Sequence, residues 1–170
     1  MRDTWAGMDR EAIDRWIPGT ASVAIVAMAV QTASALVTVT NGSALWYADA
    51  LNHLVIAARI TSGFNAGVQQ LGTVWLPAPH LLLAPFAAEH VLWVTGWAGA
   101  IVGILAMGAS AAALYRIAAR IGLGRAGRLV ACLLFVGNPG VLYLYTTAMT
   151  ESVLLAALFG SIAGLAVMSR

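Results

Sequence analysis

Residues 20–40 read TASVAIVAMAVQTASALVTVT and contain no charged side chain. A helix crosses the hydrocarbon core of a bilayer with about 20 consecutive apolar residues, so this stretch is long enough to span. The composition of the 170-residue chain agrees, because 61% of the residues are hydrophobic and only 9% are charged. In a typical water-soluble domain about a quarter of the residues are charged. The sequence therefore predicts a membrane protein.

The segment before this span, residues 1–19, mixes arginines with acids and places apolar side chains at helical spacing up to Pro18. That pattern predicts an amphipathic helix on the membrane surface. Small residues at positions 33–35 resemble a signal-peptide cleavage site. The mixed charge of the tail and the apolar residues beyond that site favour an uncleaved first span instead.

Three further stretches are apolar enough to be spans. Between the first and second spans, residues 41–90 combine helical spacing with glycines and prolines, which predicts an outer loop with interfacial helices. The expected fold is all-α, a single polytopic membrane domain over residues 1–170 with four transmembrane helices and an amphipathic helical first outer loop. The three further predicted spans are 91–113, 129–145 with a kink at Pro139, and 151–168.

Arginine indicates the orientation, because the sequence contains no lysine. Short loops rich in arginine stay on the cytoplasmic side of a membrane. With both termini in the cytoplasm, every arginine except Arg59 lies inside, and the loops 41–90 and 138–151 share the outer face. We therefore expect a multi-pass protein of the cell (plasma) membrane. The arginines are not clustered among aromatic residues on a polar face, so nucleic acid is not an expected partner.

Glycines recur at spacings of three and four within two of the predicted spans, which lets helices approach closely. The single cysteine, Cys132, lies in an apolar run and is expected to pack in the core. The sequence has no phosphate-binding loop, serine-hydrolase elbow or zinc-protease motif. The glycines are Gly96, Gly99, Gly103, Gly160 and Gly164.

The first outer loop places three polar side chains on one helical face. Asp49, Asn52 and His53 stand at positions i, i+3 and i+4, so Asp49 is able to hydrogen-bond His53. A carboxylate beside an imidazole suits general-base chemistry on an attacking hydroxyl. The same donors suit a divalent cation, although this spacing is not specific for a metal. The polar face of an interfacial helix is the alternative explanation.

Three other ionisable residues of the predicted outer face are candidates, since each needs a partner, a cavity or a substrate there; the face also holds Glu89 and His90. The planar fork of Arg59 could hold a phosphate, pair with a carboxylate, or extend to the lipid headgroups. Glu151 begins the fourth span, where it could act chemically or cap the helix together with Thr150. His80 follows Pro79 and is either a ligand or a hydrogen-bonded structural residue.

The pattern of the two outer loops resembles a known family. Residues 47–54 (YADALNHL), the Ala58-Arg59 pair and residues 70–80 (QLGTVWLPAPH) look like the first outer loop of the GT-C membrane glycosyltransferases. Within that group they are most similar to bacterial relatives of the dolichyl-phosphate-mannose protein mannosyltransferases, glycosyltransferase family 39. Residues 138–151 look like the second outer loop of the same enzymes. The resemblance covers most of residues 20–168 and corresponds to the amino-terminal part of family members.

Those enzymes transfer a sugar from a polyprenyl-phosphate carrier to an acceptor at the outer membrane face. The resemblance implies that Asp49 is their first-loop acid, acting as the base for the acceptor hydroxyl or positioning the acceptor or a metal. It implies that Glu151 is the second-loop acid. Arg59 and His80 are the implied contacts of the carrier phosphate or the acceptor. Candidate substrate-binding residues also include the neighbours of Asp49 on its helical face, Asn52 and His53.

The partners follow from the same resemblance. They are the polyprenyl-phosphate-linked sugar, membrane lipids and the remaining part of a split or longer enzyme, because family members continue through more spans. A divalent cation is the one cofactor that the donor residues suit. The alternative function is a non-enzymatic four-span membrane subunit whose outer loop docks a partner or a lipid. A small transporter is less favoured, because the ionisable residues gather at one face rather than along a path through the spans.

Overall fold

The computed structural model of the chain describes residues 19–71, 75 and 77–168. Every regular element in these residues is helical and none is a strand, so the predicted all-α fold is confirmed for this part of the chain. The amphipathic helix predicted for the tail falls on residues 1–18, outside the described residues. The helices are α1 (Thr20–Thr40), α2 (Ala48–Thr61), α3 (Pro77–Ala87), α4 (His90–Thr95), α5 (Trp97–Arg120), α6 (Arg125–Val136), α7 (Pro139–Leu144) and α8 (Glu151–Met168), with short 3-10 turns at Ser43–Leu45 and Val68–Gln70.

Two of the described helices are long and apolar enough to cross a membrane, namely α1 with 21 residues and α5 with 24 residues. Helix α1 has the bounds predicted for the first span. The second span, predicted over 91–113, begins later, because Gly96 adopts a φ of 84° and separates α4 from α5. Glycine reaches this left-handed conformation without steric cost. The long apolar helix therefore starts at Trp97 and continues to Arg120.

The other two predicted spans are shorter helices. The stretch 129–145 is divided, because α6 ends at Val136 and the side chain of Asn138 accepts hydrogen bonds from the first backbone N–H groups of α7. Pro139 therefore starts a new helix instead of kinking a continuous one. Helix α8 begins at Glu151, as predicted, and has 18 residues. The four-span arrangement is thus not confirmed by the described helices, of which two reach spanning length.

Helix α5 lies at the centre of the molecule and packs against α1, α6 and α8. Val23 of α1, Met107 of α5 and Tyr145 belong to one buried apolar cluster. Small residues line much of the buried face of α5, so the neighbouring backbone approaches closely. A Cβ atom on Gly103 would overlap the carbonyl oxygen of Tyr145. The glycine spacing predicted a close approach of another helix. At Gly103 the segment that approaches is the loop that contains Tyr145.

A second buried cluster joins α2 and α3 to the start of α5. Leu54 of α2, Leu83 of α3 and Ala98 of α5 are part of it. Helix α2 is the amphipathic helix predicted for the outer loop. Its buried residues, which include Leu54, face α3 and α5.

The two ends of α5 differ in composition. Ala44 and Leu45 lie beside Gly96, and the hydroxyl of Tyr143 donates a hydrogen bond of 2.8 Å to the carbonyl oxygen of Ser43. The end of α1, the start of α5 and the segment before α8 therefore meet at one end, which we call the aromatic end. Its exposed or half-buried rings are Trp46, Tyr47, Trp75, Trp93, Trp97 and Tyr143. The opposite end, about 30 Å along α5, is the arginine end and holds Arg116, Arg120, Arg125 and Arg128.

Candidate functional site at the aromatic end

Two buried histidines form the centre of the site. His53 of α2 and His80 of α3 have side chains that are 1% and 0% exposed. Nδ1 of His53 and Nε2 of His80 are 2.9 Å apart, so one ring donates a hydrogen bond and the other accepts it. A doubly protonated imidazole has no acceptor nitrogen. The two rings therefore cannot both be cationic while this hydrogen bond exists.

Trp75 shields the histidine pair. Its ring meets His53 edge-on, with 4.7 Å between the ring centroids. The centroids of His53 and His80 are themselves 5.0 Å apart. The indole places apolar surface against the imidazole of His53, which removes water from that side of the ring.

Two carboxylates act on His53 through their charge. Asp49 is exposed in the first turn of α2, and Glu151 is half-buried as the first residue of α8. Burial lowers the pKa of His53 and the neighbouring His80 lowers it further, whereas the charges of Asp49 and Glu151 act to raise it. The net direction is downward, so desolvation outweighs the two carboxylates. His53 therefore stays neutral to a lower pH than a solvated histidine.

Glu151 has an oxygen that helix capping does not explain. Its Oε2 atom is shielded from solvent and has no hydrogen-bond partner within the described residues. A capping carboxylate accepts hydrogen bonds from backbone N–H groups of the first turn. The positive end of the α8 dipole stabilises the negative charge of Glu151. Oε2 of Glu151 is nevertheless able to accept a hydrogen bond from another group.

Three of the predicted site residues do not bond to the histidine pair. Asp49 makes no hydrogen bond to His53, whose Nδ1 atom bonds His80 instead, so the expected i, i+4 bond is not formed. Asn52 is exposed and forms no hydrogen bond with the described residues. Arg59 is exposed in the last turn of α2 and lines a separate cleft. The structure therefore brings His53 and His80 into contact, with Asp49 and Glu151 close enough to influence the pKa of His53.

The sequence analysis did not identify the buried segment that precedes Glu151. The Tyr145 hydroxyl and the Ser110 hydroxyl are hydrogen-bonded at 3.0 Å, and both side chains are fully buried. The hydroxyls of Thr146 and Thr147 each donate 2.7 Å hydrogen bonds to the carbonyl oxygens three residues earlier. These bonds fix the chain just before the start of α8. No local pattern reveals the Ser110 contact, because its two partners lie 35 residues apart in sequence.

The donor groups of the site suit proton transfer and, by type, metal binding. A neutral imidazole near two carboxylates is able to accept a proton. Imidazole and carboxylate also bind divalent cations. Within residues 19–71, 75 and 77–168, no group of three or more His, Cys, Asp or Glu side chains is arranged to hold a metal ion. The divalent cation stays a prediction from the sequence.

The function of the chain has to be inferred from the chemistry of this end of the molecule, since a fold alone does not specify an activity. Comparisons of the chain with protein-family models, with curated proteins and with solved structures find no match.

Proposed function

We propose that the chain is a membrane glycosyltransferase, or its amino-terminal catalytic module, which transfers a sugar from a polyprenyl-phosphate carrier to an acceptor at the outer face of the membrane. The observation that carries this proposal is the gathering of Asp49, His53, His80 and Glu151 at the aromatic end. These residues come from α2, α3 and the start of α8. Their loops are also the ones that resemble the GT-C glycosyltransferases.

In the proposed reaction, the acceptor hydroxyl oxygen attacks C1 of the sugar while the bond from C1 to the phosphate oxygen breaks. The phosphate leaves with the bonding electrons, and the acceptor proton passes to Asp49. Asp49 suits this role because its side chain is exposed. Glu151 offers its unpartnered Oε2 as an acceptor for a substrate hydroxyl. The hydrogen-bonded pair of His53 and His80 holds α2 against α3 beside these two acids.

The proposed orientation has the aromatic end outside and the arginine end in the cytoplasm. Arginine-rich loops favour the cytoplasmic side, and Trp and Tyr are typical of the membrane interface. Helix α8 is an apolar helix of 18 residues, and α6 with α7 would complete a four-span, multi-pass protein with both termini inside. In this arrangement the candidate acids lie at the depth where the phosphate of a carrier lipid lies.

The test is sugar transfer in membranes of the source organism, with the variants replacing the natural chain and radiolabelled polyprenyl-phosphate-mannose as the donor. Asp49→Asn and Glu151→Gln are each expected to lower transfer by about 100-fold or more, with membrane insertion unchanged. Glu89→Gln is the matched control, because it removes another exposed carboxylate at the aromatic end. Normal transfer in both the Asp49 and Glu151 variants would overturn the proposal.

A non-enzymatic membrane subunit is the second candidate, and the face of α8 around Gly160 and Gly164 favours it. A Cβ atom on either glycine would meet no atom within 4 Å, so this face is open. Faces of small residues accept a second membrane helix. If the chain is such a subunit, alanine should be tolerated at Asp49 and Glu151. Gly160→Leu should instead break a complex recovered in mild detergent.

A further inference from the structure

A cleft of about 360 Å³ opens beside the last turn of α2. It lies where α2 faces the turn between α3 and α4. Its lining includes Arg59 and His90 but none of the residues of the histidine and carboxylate site. The cleft is therefore separate from the histidine and carboxylate site, and the transfer step proposed for that site does not use it.

The polar side of this cleft carries the guanidinium of Arg59. Arg59 is exposed and makes no hydrogen bond or ion pair with the described residues. The exposed imidazole of His90 lines the same cleft, with its ring 5.9 Å from that of Trp93. A guanidinium presents its N–H groups in a planar fork that matches two oxygens of a phosphate. This side of the cleft therefore suits a phosphate group.

Arg59 is also the one arginine at the aromatic end among the residues that the structure describes, and the sequence contains no lysine. The other described arginines all belong to the arginine end, at the far end of α5. An anion that approaches the described surface of the aromatic end is therefore attracted to this one position by a permanent charge. No carboxylate is among the described residues that line the cleft, and Glu89 lies in the chain between the lining residues Ala88 and His90.

The apolar side of the cleft favours a lipid over a free anion. Val55, Ala87 and Trp93 form this side, and Trp93 lies just before the start of α5. Tryptophan in this position is typical of the depth of the lipid headgroups. A water-soluble phosphate gains nothing from apolar walls, whereas the glycerol and the first acyl carbons of a phospholipid lose contact with water there.

The position of Arg59 on α2 favours a structural phospholipid over the carrier of the proposed reaction. Arg59 is ten residues after Asp49, which corresponds to about 15 Å along a helix. The bond that breaks in sugar transfer is directly attached to the carrier phosphate. A carrier held by Arg59 would therefore place that bond far from the candidate base.

We propose that this cleft binds the phosphate of an anionic phospholipid, with Arg59 on the phosphate oxygens and the upper acyl chain against Val55 and Trp93. Binding of a phospholipid does not require the proposed transferase activity, and only the preference over the carrier rests on Asp49 as the base. A bound phospholipid at this point ties α2 and the turn between α3 and α4 to the membrane surface.

The test is native mass spectrometry of the purified chain in detergent, titrated with phosphatidylglycerol and with phosphatidylcholine of the same acyl composition. We expect the anionic lipid to bind more tightly, and Arg59→Gln to weaken its binding about 10-fold, the loss of one charge-assisted contact. Ala88→Phe should weaken binding to a similar extent, because it fills the cleft from an exposed position and keeps the charge. Arg116→Gln, an exposed arginine at the other end, is the control and should bind normally.

Four outcomes would overturn the inference. The first is equal binding of the two lipids, and the second is a loss in Arg59→Gln no greater than that in Arg116→Gln. Displacement of the lipid by millimolar inorganic phosphate would assign the cleft to a free anion. Tighter, Arg59-dependent binding of polyprenyl phosphate than of phosphatidylglycerol would assign it to the carrier. Because these measurements use no sugar transfer, they stand apart from the test of the proposed function.

Discussion

The aromatic end of this molecule buries several polar side chains, whereas Arg116 at the arginine end is exposed. At the aromatic end, His53 and His80 are buried and hydrogen-bonded to each other, and Thr146 and Thr147 are buried in the segment before α8. At the arginine end, Arg116 is exposed to the surroundings. Burial of a polar group costs free energy unless it finds a specific partner. The aromatic end therefore depends on the exact positions of its buried polar groups, whereas an exposed arginine such as Arg116 contributes mainly its charge.

This difference predicts that substitutions at the aromatic end are costly, and the largest effect is expected at Gly103. In Gly103→Ala the new Cβ atom would overlap the carbonyl oxygen of Tyr145, so the segment before α8 would have to move away from α5. We expect a loss of about 3 kcal/mol of unfolding free energy, measured by thermal unfolding in detergent. Gly160→Ala is the matched control, because its Cβ meets open space and the helix gains about 0.5–1 kcal/mol. Equal stability of the two variants would contradict the close approach.

The helical content and the individual faces of the helices could be predicted from the sequence, because both follow from local spacing. Residues 20–40 form one helix with the predicted bounds. Asp49 and His53 do lie on one helix. Local spacing does not say which element packs on a face, so the bond from His53 to His80, 27 residues away, could not be predicted. Local spacing predicted a hydrogen bond between His53 and Asp49. In the structure His53 bonds the distant His80 instead.

Helix ends were the other part that the sequence did not reveal. The apolar stretch 129–145 has no charge that would mark an interruption. Its division depends on the side chain of Asn138, which bonds the backbone of Gly140 and Val141 and starts a new helix. A polar cap of this kind competes with helix continuation. Composition alone therefore did not predict where the helices in this stretch begin and end.

The second-largest effect is expected where the histidine pair is broken. His53→Phe removes the hydrogen bond between the two buried rings, and we expect a cost of about 1–3 kcal/mol. His80→Phe should behave in the same way. The double variant should cost less than the sum, with a coupling energy of about 0.5–3 kcal/mol, measured by unfolding in a denaturing detergent titration. Additive costs would show that the two rings do not act as a pair.

The pH dependence of stability also tests the burial of the histidine pair, and its expected effect is smaller. The pKa of His53 is lowered in the folded chain, so the unfolded chain binds a proton more readily. Stability is therefore fully present above the unfolded pKa of 6.5 and falls as the pH drops from there through the folded value. Asp49 and Glu151 face the pair and oppose this lowering.

The measurement is the unfolding temperature between pH 7.5 and pH 5. In His53→Gln the decline on acidification should be flatter than in the natural chain. In Asp49→Asn it should extend to lower pH, because a charge that raises the pKa of His53 is gone. An identical decline in all three proteins would assign the pH dependence to other groups.

The smallest effects are expected at the arginine end. Arg128 donates a 2.8 Å hydrogen bond from Nε to the carbonyl oxygen of Leu123 and lies 5.7 Å above the ring of Tyr115. Arg128→Gln should therefore cost about 0.5–1 kcal/mol. Arg116→Gln, at an exposed position, should change stability by no more than about 0.5 kcal/mol. Neither single change should reverse the orientation, since several arginines remain at that end.

Thermal unfolding measures both costs, and labelling of an introduced cysteine reports the orientation. The reporter is Asn65→Cys, at an exposed position beyond α2, in a chain that also carries Cys132→Ala. A membrane-impermeant maleimide should label this cysteine equally with and without Arg116→Gln. A cost for Arg116→Gln as large as that for His53→Phe would mean that Arg116 also depends on specific contacts. In that case exposure would not predict tolerance to substitution, and the contrast between the two ends would be wrong.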